Sequence, residues 1–230
     1  MSQVRLRVFQ NKPHLLRVFT DASGNCGDTV PVVIDEDRKI SDAVRQKIAI
    51  RLGAPETVFV NDIATADISI MHLQGEVDFA GTPALGAAWL LATLRDEPIT
   101  VMKGRKSDIT TWQENGLTWV QTELASMPPW HHKQLDNPET VEHLTVEAMK
   151  TTEHTMVWAW IDEAKGLIRA RTFASDWDIP EAEGNGSGSM ILAAQLKRSI
   201  EIKHGKGSVT FAKPGGNDQA AIGGRVVEDG

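Results

Sequence analysis

The sequence has 230 residues, 41% hydrophobic and 24% charged, enough to form one large folded domain or two small ones. Its net charge of −7 and pI of about 5.5 argue against a nucleic-acid partner, because an acidic surface repels phosphates. The sequence has no run of eighteen apolar residues, so no membrane span is predicted, and residues 1–13 lack the apolar core of a signal peptide. With Cys26 as the single cysteine no intrachain disulfide can form, so we expect a cytoplasmic protein.

The first part of the chain predicts strands on either side of a buried helix. Ser41 and Gly53 have the positions of an N-cap and a C-terminal glycine, and they bound a predicted surface helix. A turn at residues 80–83 opens an apolar run that predicts a buried helix ending near Leu94. Strands are predicted at residues 15–20, 30–35, 57–60, 66–73, 99–104, 108–113 and 117–124.

The second part repeats this order after a break near residues 127–129. Residues 137–149 predict one helix, and a glycine-rich turn at residues 184–189 opens a second apolar helix that ends near Ser199. Strands are predicted at residues 155–162, 166–174, 199–216 and 220–227. Because strict strand–helix alternation is absent, we expect an α+β chain of two similar halves, residues 1–128 and 129–230.

Both apolar helices begin at glycine-rich turns, and a helix N-terminus with unpaired N–H groups binds anions. Tight packing alone would explain the glycines of one turn, but two turns in matching positions favour a site for a carboxylate ligand. The second turn lacks the Lys-Ser/Thr of a phosphate-binding loop, and Ser189 replaces the third glycine of a dinucleotide-binding motif. Neither nucleotide site is therefore predicted.

The remaining polar clusters have simpler interpretations. His131 and His132 are adjacent and point in different directions, and no histidine or cysteine spacing matches a metal site. The acidic residues at 176–183 lack the glycine and final glutamate of a calcium loop, and Cys26 has no base nearby in sequence. We expect packed or solvated side chains here, and neither a metal nor a cofactor.

An ordered set of motifs resembles the phenazine-biosynthesis PhzF-like isomerase family. The motifs are a GN pair before a strand, ETVFV, FAGTPALGAAWLL, EAEGNGSGSMILA, GSVTFAK and GGRVV, and they cover nearly the whole chain. The resemblance implies a diaminopimelate epimerase-like fold of two similar domains, each a curved, mostly antiparallel sheet wrapped around a central helix, with the second domain shortened around residues 149–158. It also implies a cleft where both central helices begin, and a homodimer.

The resemblance implies site residues at three places. Glu56 matches the family's general acid/base, which moves a proton on its substrate without a cofactor. The two turns match substrate-binding segments, which places Gly81, Thr82, Pro83, Gly186, Ser187 and Gly188 at the substrate. We expect the backbone amides of the two turns to hold the carboxylate of a small metabolite.

The sequence also departs from the family pattern. Thr82 stands where the family has a histidine, and Ala182 replaces an aspartate, for which Glu183 could substitute only if the loop shifts. Related epimerases and racemases use two cysteines at the positions of Ala80 and Asn185, which excludes that mechanism here. Two hypotheses stay open: a cofactor-independent isomerase that uses Glu56, or an impaired family member that binds a small acidic metabolite without turnover.

Overall fold

The computed structural model describes residues 12–229, and within that range the strands are connected into one mixed sheet of fifteen strands. The strands are β1 His14–Thr20, β2 Asp28–Ile34, β3 Glu56–Asp62, β4 Asp67–His72, β5 Gly75–Val77, β6 Val101–Lys103, β7 Asp108–Glu114, β8 Leu117–Glu123, β9 His131–Gln134, β10 Thr155–Asp162, β11 Leu167–Ala174, β12 Ile179–Ala182, β13 Ile200–His204, β14 Ser208–Pro214 and β15 Gln219–Glu228. The helices are α1 Asp42–Leu52, α2 Gly81–Arg95, α3 Pro138–Glu142, α4 Val146–Met149 and α5 Gly186–Leu196. Short 3₁₀ turns occupy Glu36–Arg38, Leu124–Ser126 and Ser175–Trp177.

The strands of the first half close into a ring around α2. The ring runs through β1, β2, β3, β4, β6, β7 and β8, and β15 closes it by pairing with both β8 and β1. Helix α2 is apolar and buried on most of its circumference, as expected for a helix enclosed by a sheet. At Gly86 a Cβ atom would lie 3.1 Å from Val18 Cγ2, so the missing side chain brings the helix close to β1.

The second half wraps a smaller sheet around α5. Its strands follow the order β15, β14, β13, β11, β10 and β9, and α5 packs against β14, β15 and β9. Helix α5 has 11 residues, against 15 in α2. The predicted α+β fold is confirmed, with the curved sheet wrapped around a central helix in each half of the chain.

Strand β15 belongs to both sheets. Its Gly223 pairs with Trp119 of β8 on one side and with Phe211 of β14 on the other, and its later residues pair with β1. One continuous hydrophobic core accordingly runs through both halves. The division at residue 128/129 stays a prediction, and β15 pairs with strands on both sides of it.

Two helix predictions differ from the structure. The single helix predicted over residues 137–149 is wrong, because the segment forms two short helices, α3 and α4. Thr145 between them is extended, and its side chain accepts a hydrogen bond from the Ala148 amide, so a new helix starts there. Helix α5 ends at Leu196, earlier than predicted, because Lys197 adopts the left-handed conformation with φ of 54°.

No helix within residues 12–229 is long and apolar enough to cross a membrane.

The N-termini of α2 and α5 meet backbone to backbone. A Cβ atom on Gly81 would lie 2.8 Å from Gly186 C and from Ser187 N, and one on Gly186 would lie 2.7 Å from Gly81 C and Thr82 N. Real Cβ atoms do not approach other atoms so closely, and both obstacles are backbone, so only glycine fits at either position. The sequence prediction that the two turns lie together is confirmed in geometry.

We expect Gly81→Ala and Gly186→Ala each to destabilise the fold by roughly 1–3 kcal/mol, the usual cost of overpacking, because the helix ends must separate. Chemical denaturation measures the loss. Gly216→Ala is the matched control, since a Cβ there meets nothing within 4 Å. Equal stability of Gly81→Ala and Gly216→Ala would contradict the described contact.

Candidate functional site

A cavity of about 460 Å³ lies where the two central helices begin, a size typical of small-molecule sites. Among its lining residues are five that the sequence predicted at the substrate or at the acid/base position: Glu56, Gly81, Thr82, Gly186 and Ser187. Other lining residues come from β2, β4, the turn before β9 and the segment around β12. The structure thus brings residues from both halves to one place.

Strand alternation aims three titratable side chains at this cavity. In β3, Glu56 shares a face with core residues Val58 and Val60, because alternate residues of a strand point the same way. By the same rule, Asp28 in β2 and His72 in β4 lie on the inward faces of their strands. All three line the cavity, and His72 lies directly opposite Glu56 in the β3–β4 ladder.

The carboxyl group of Glu56 has a pKa close to neutral pH. Burial raises its pKa to about 7, because the cavity wall removes much of the water that would stabilise the charged form. A group with this pKa is present as both acid and carboxylate near pH 7, the state required of a general acid/base.

Asp28 was not predicted at the site, because the second strand was predicted to begin only at residue 30. Burial, together with the negative charges of Glu56 and Glu183, raises the pKa of Asp28 to about 8, against opposing hydrogen bonds from the amides of Gly184 and Glu183. Its Oδ2 would lie 2.8 Å from a Cβ on Gly184, so the carboxyl group packs against the turn that leads into α5. The alternation of Asp28 with the buried Val30 and Val32 is the signal that could have found it.

His72 adds an uncharged imidazole to the cavity wall. Burial lowers its pKa, with a partial opposing effect from Asp178, so the ring is neutral at pH 7. Its Nδ1 accepts a hydrogen bond from the Gln74 amide, and its buried Nε2 has no partner within residues 12–229. No sequence motif predicted a role for this histidine.

The two helix N-termini satisfy each other in a reciprocal arrangement. The Gly81 amide donates to Ser187 Oγ at 3.0 Å, and the Gly186 amide donates to Thr82 Oγ1 at 3.4 Å. No acceptor within the described part of the chain pairs with the amides of Thr82 or Ser187, the second residues of α2 and α5. The free donors of the site are therefore one residue beyond each glycine.

Within the two turns, the amides of Gly81 and Gly186 are used by these bonds, so the expected carboxylate contact with the turn amides stays a prediction for Thr82 and Ser187. Gly188 and Pro83 also do not line the cavity. The Gly188 amide donates to the side chain of Asn185, the N-cap of α5, at 2.8 Å, and Pro83 has no N–H to offer.

Glu183 does not take the place of the missing aspartate at residue 182. Its Oε1 accepts hydrogen bonds from the Lys206 amide at 3.0 Å and from Ser208 Oγ at 3.2 Å, and Glu183 does not line the cavity. Ala182 lines the cavity and contributes no carboxylate there.

Two tryptophans form an aromatic part of the cavity wall that the sequence analysis did not explain. Trp130 and Trp177 meet edge to face with ring centroids 4.9 Å apart. His154 stacks on Trp177 at 4.0 Å and is fixed by Asp176 at 2.8 Å and by the carbonyl of Pro129 at 2.7 Å. This histidine is a packed one, as predicted, and it orients the Trp177 ring.

The other candidates of the sequence analysis lie elsewhere. His132 donates through Nε2 to the Gly188 carbonyl at 2.8 Å and so packs on α5, whereas Cys26 contacts the Lys206 carbonyl at 3.6 Å and does not line the cavity. Among residues 12–229 no group of three or more histidine, cysteine or acidic side chains could hold a metal ion.

Comparison with known proteins relates the chain to one family. A family model described as phenazine biosynthesis-like protein, PhzC-PhzF, matches residues 16–101. A phenazine biosynthesis PhzC/PhzF protein from Clostridium difficile has the same fold, with a TM-score of 0.73 at 16% identity over 95% of this chain and 96% of that chain. A predicted epimerase from Pseudomonas aeruginosa matches with a TM-score of 0.71 at 17% identity over 96% of this chain and 98% of that one.

A more distant likeness extends to amino-acid epimerases. A hydroxyproline epimerase from Agrobacterium vitis, solved with bound trans-4-hydroxy-L-proline, matches with a TM-score of 0.56 at 13% identity over 95% of this chain and 91% of that one. At these identities the likeness shows a shared fold, which is the epimerase-like fold expected from the sequence motifs.

The raised pKa values predict a definite pH dependence of stability. Asp28 and Glu56 bind protons more tightly in the folded than in the unfolded chain, so the free energy of unfolding falls as pH rises from about 4 towards 8. In Asp28→Asn this fall between pH 5 and pH 8 should be smaller, as measured by urea denaturation at both pH values. The exposed Glu114→Gln is the control and should keep the wild-type dependence; an Asp28→Asn curve parallel to wild type would contradict the raised pKa.

Proposed function

We propose a function on the premise that the chain resembles the PhzF-like family, a resemblance that the family model supports over residues 16–101 and the shared fold supports over nearly the whole chain. The proposed activity is that of a cofactor-independent isomerase, which moves a proton on a small carboxylic-acid metabolite. Glu56 is the general acid/base. The observation that carries the proposal is a carboxyl group with a pKa of about 7 in the same cavity as two unpaired helix amides.

The unpaired amides give the substrate a place to bind. In the proposed complex the substrate carboxylate accepts hydrogen bonds from the amides of Thr82 and Ser187, and the partial positive charge of both helix ends favours the anion. Because one amide comes from each half, the carboxylate is held from two sides. The aromatic side chains of Trp130 and Trp177 in the cavity wall then exclude water from the apolar part of the substrate.

Proton transfer follows from this placement. The carboxylate form of Glu56 takes a proton from a carbon next to an unsaturated or carboxylate group, and the electron pair of the broken C–H bond spreads onto the substrate oxygen atoms. The helix amides stabilise the charge that develops on those oxygens. Return of a proton at another carbon, or on the other face of the same carbon, gives the isomer.

The alternative hypothesis is a protein that binds such a metabolite without turnover. It is favoured by Thr82 and Ala182, which replace the histidine and aspartate of the family pattern, and by the use of Thr82 Oγ1 as an acceptor for the Gly186 amide. Turnover of a bound acid separates the two hypotheses.

Solvent exchange tests the activity without knowledge of the natural substrate. A panel of small carboxylic acids, including the trans-4-hydroxy-L-proline bound by the Agrobacterium epimerase, is incubated with the protein in D₂O and analysed by mass spectrometry. Wild type should introduce deuterium at a C–H position of at least one acid, and Glu56→Gln should slow this by roughly 10²–10⁴-fold, since it keeps the shape and removes the proton carrier. The exposed Glu114→Gln should exchange at the wild-type rate; binding of an acid without exchange in wild type supports the alternative.

We also propose that the protein is a homodimer, as the family resemblance implies. The expected measurement is twice the 25.2 kDa mass of the chain by light scattering at micromolar concentration. A single species at the monomer mass would remove this proposal.

A further inference from the structure

We infer that Asp28 is a second proton-carrying group of this cavity, that it shares a proton with Glu56, and that the two act on the bound acid as a carboxyl pair. The inference rests on the proposed isomerase activity and names a residue for which none of the sequence motifs gave a role.

The position of Asp28 follows from the sheet. Strands β2 and β3 are parallel neighbours with Val32 opposite Val58, so the starts of both strands reach the same edge of the ring. Asp28 and Glu56 are the first residues of these strands, and each lies on the inward face. Both therefore enter the cavity from adjacent strands, at the end where α2 and α5 begin.

The surroundings of the pair favour one shared proton. Two carboxylates in a poorly hydrated cavity do not ionise together, because each negative charge opposes the other. The other groups near the pair do not neutralise it: Arg105 lines the same cavity but pairs with Asp78 and the Glu76 carbonyl, Glu183 adds negative charge beside Asp28, and His72 opposite Glu56 is neutral at pH 7. Between about pH 7 and pH 8, the two raised pKa values, the main form of the pair has one acid and one carboxylate.

This state supplies both roles that an isomerisation needs. The Glu56 carboxylate takes a proton from one carbon of the substrate, and the electron pair of that C–H bond moves into the substrate. The Asp28 acid gives its proton to a second carbon, where the electron pair forms the new C–H bond. Glu56 ends as the acid and Asp28 as the carboxylate, and transfer of one proton through water restores the pair.

The structure also shows why Asp28 fits this role better than other acids. Ala182 brings no carboxylate to the cavity, and Glu183 uses its carboxylate on Lys206 and Ser208. Asp28, in contrast, has no hydrogen bond from a cationic side chain within residues 12–229.

A first experiment tests the shared proton without any substrate. Carbon-13 NMR of Asp- and Glu-labelled protein follows both carboxyl groups from pH 4 to pH 9, with assignments from Asp28→Asn and Glu56→Gln. We expect two titrations above pH 6 in wild type, and a lower midpoint for Asp28 in Glu56→Gln, because the neighbouring negative charge is gone. An Asp28 midpoint near pH 4 in wild type, or one that Glu56→Gln leaves unchanged, would overturn the pairing.

A second experiment tests the role of Asp28 in proton transfer. With an acid from the panel that wild type exchanges and isomerises, Asp28→Asn should still exchange the proton removed by Glu56 but should form isomer at least tenfold more slowly. Glu56→Gln should lose both, and the exposed Glu114→Gln, which lies outside the cavity, should keep the wild-type ratio of isomer to exchange. Equal isomer formation in Asp28→Asn and wild type would overturn the inference.

The two experiments separate the inference from the function on which it rests. If wild type exchanges no acid in the panel, the isomerase activity fails while the NMR titration still decides whether the proton is shared. If Glu56→Gln loses exchange but Asp28→Asn forms isomer normally, the activity stands and the role of Asp28 falls.

Discussion

The contact between the N-termini of α2 and α5 is the constraint on which the rest of the structure depends. Two helix ends with partial positive charge repel each other, and here they touch at Gly81 and Gly186. The reciprocal bonds to the hydroxyl groups of Ser187 and Thr82 satisfy one amide of each helix and hold the ends together. The same contact fixes the distance between the halves, and with it the size of the cavity and the spacing of the two unpaired amides.

Two electrostatic effects compete in this cavity. Positive helix ends favour ionised carboxyl groups nearby, whereas loss of water favours neutral ones. The raised pKa values of Asp28 and Glu56 show that loss of water dominates at these two positions. Both side chains start from strands, so they lie in the same cavity without capping either helix. A bound anion can then use the helix ends while the carboxyl groups stay available for protons.

The sequence was sufficient for most of the fold because its signals were local. Both central helices could be predicted since an apolar run follows a glycine turn, and Glu56 stood out only through a family motif. Asp28 was not predicted at the site because its neighbours in sequence are typical of a turn, although it begins the alternation of a strand. His72 was not predicted there because the alternation of its strand was interpreted only as packing. The split of the helix over residues 137–149 depends on one side chain, Thr145, whose capping bond competes with helix continuation.

The sequence could not show which turn amides bond the hydroxyl groups of the opposite helix and which remain unpaired. This pairing depends on contacts between residues about a hundred positions apart, such as Gly81 with Ser187, and no local pattern specifies which amide of a turn finds a partner. The local pattern therefore predicts the two turns but not which of their amides remain unpaired.

The shared strand β15 has a consequence for biosynthesis. The ring around α2 closes only when β15 pairs with β1, and the His14–Glu228 contact across that seam spans 214 residues of sequence. At roughly 5–20 residues per second, β1 emerges from the ribosome about 10–40 s before its partner strand is made. From its own synthesis until β15 follows, each of β1 and β8 is a nascent edge without the strand that joins them, and open edges invite pairing with other chains. The half of the protein that is synthesised first is thus the half that is completed last.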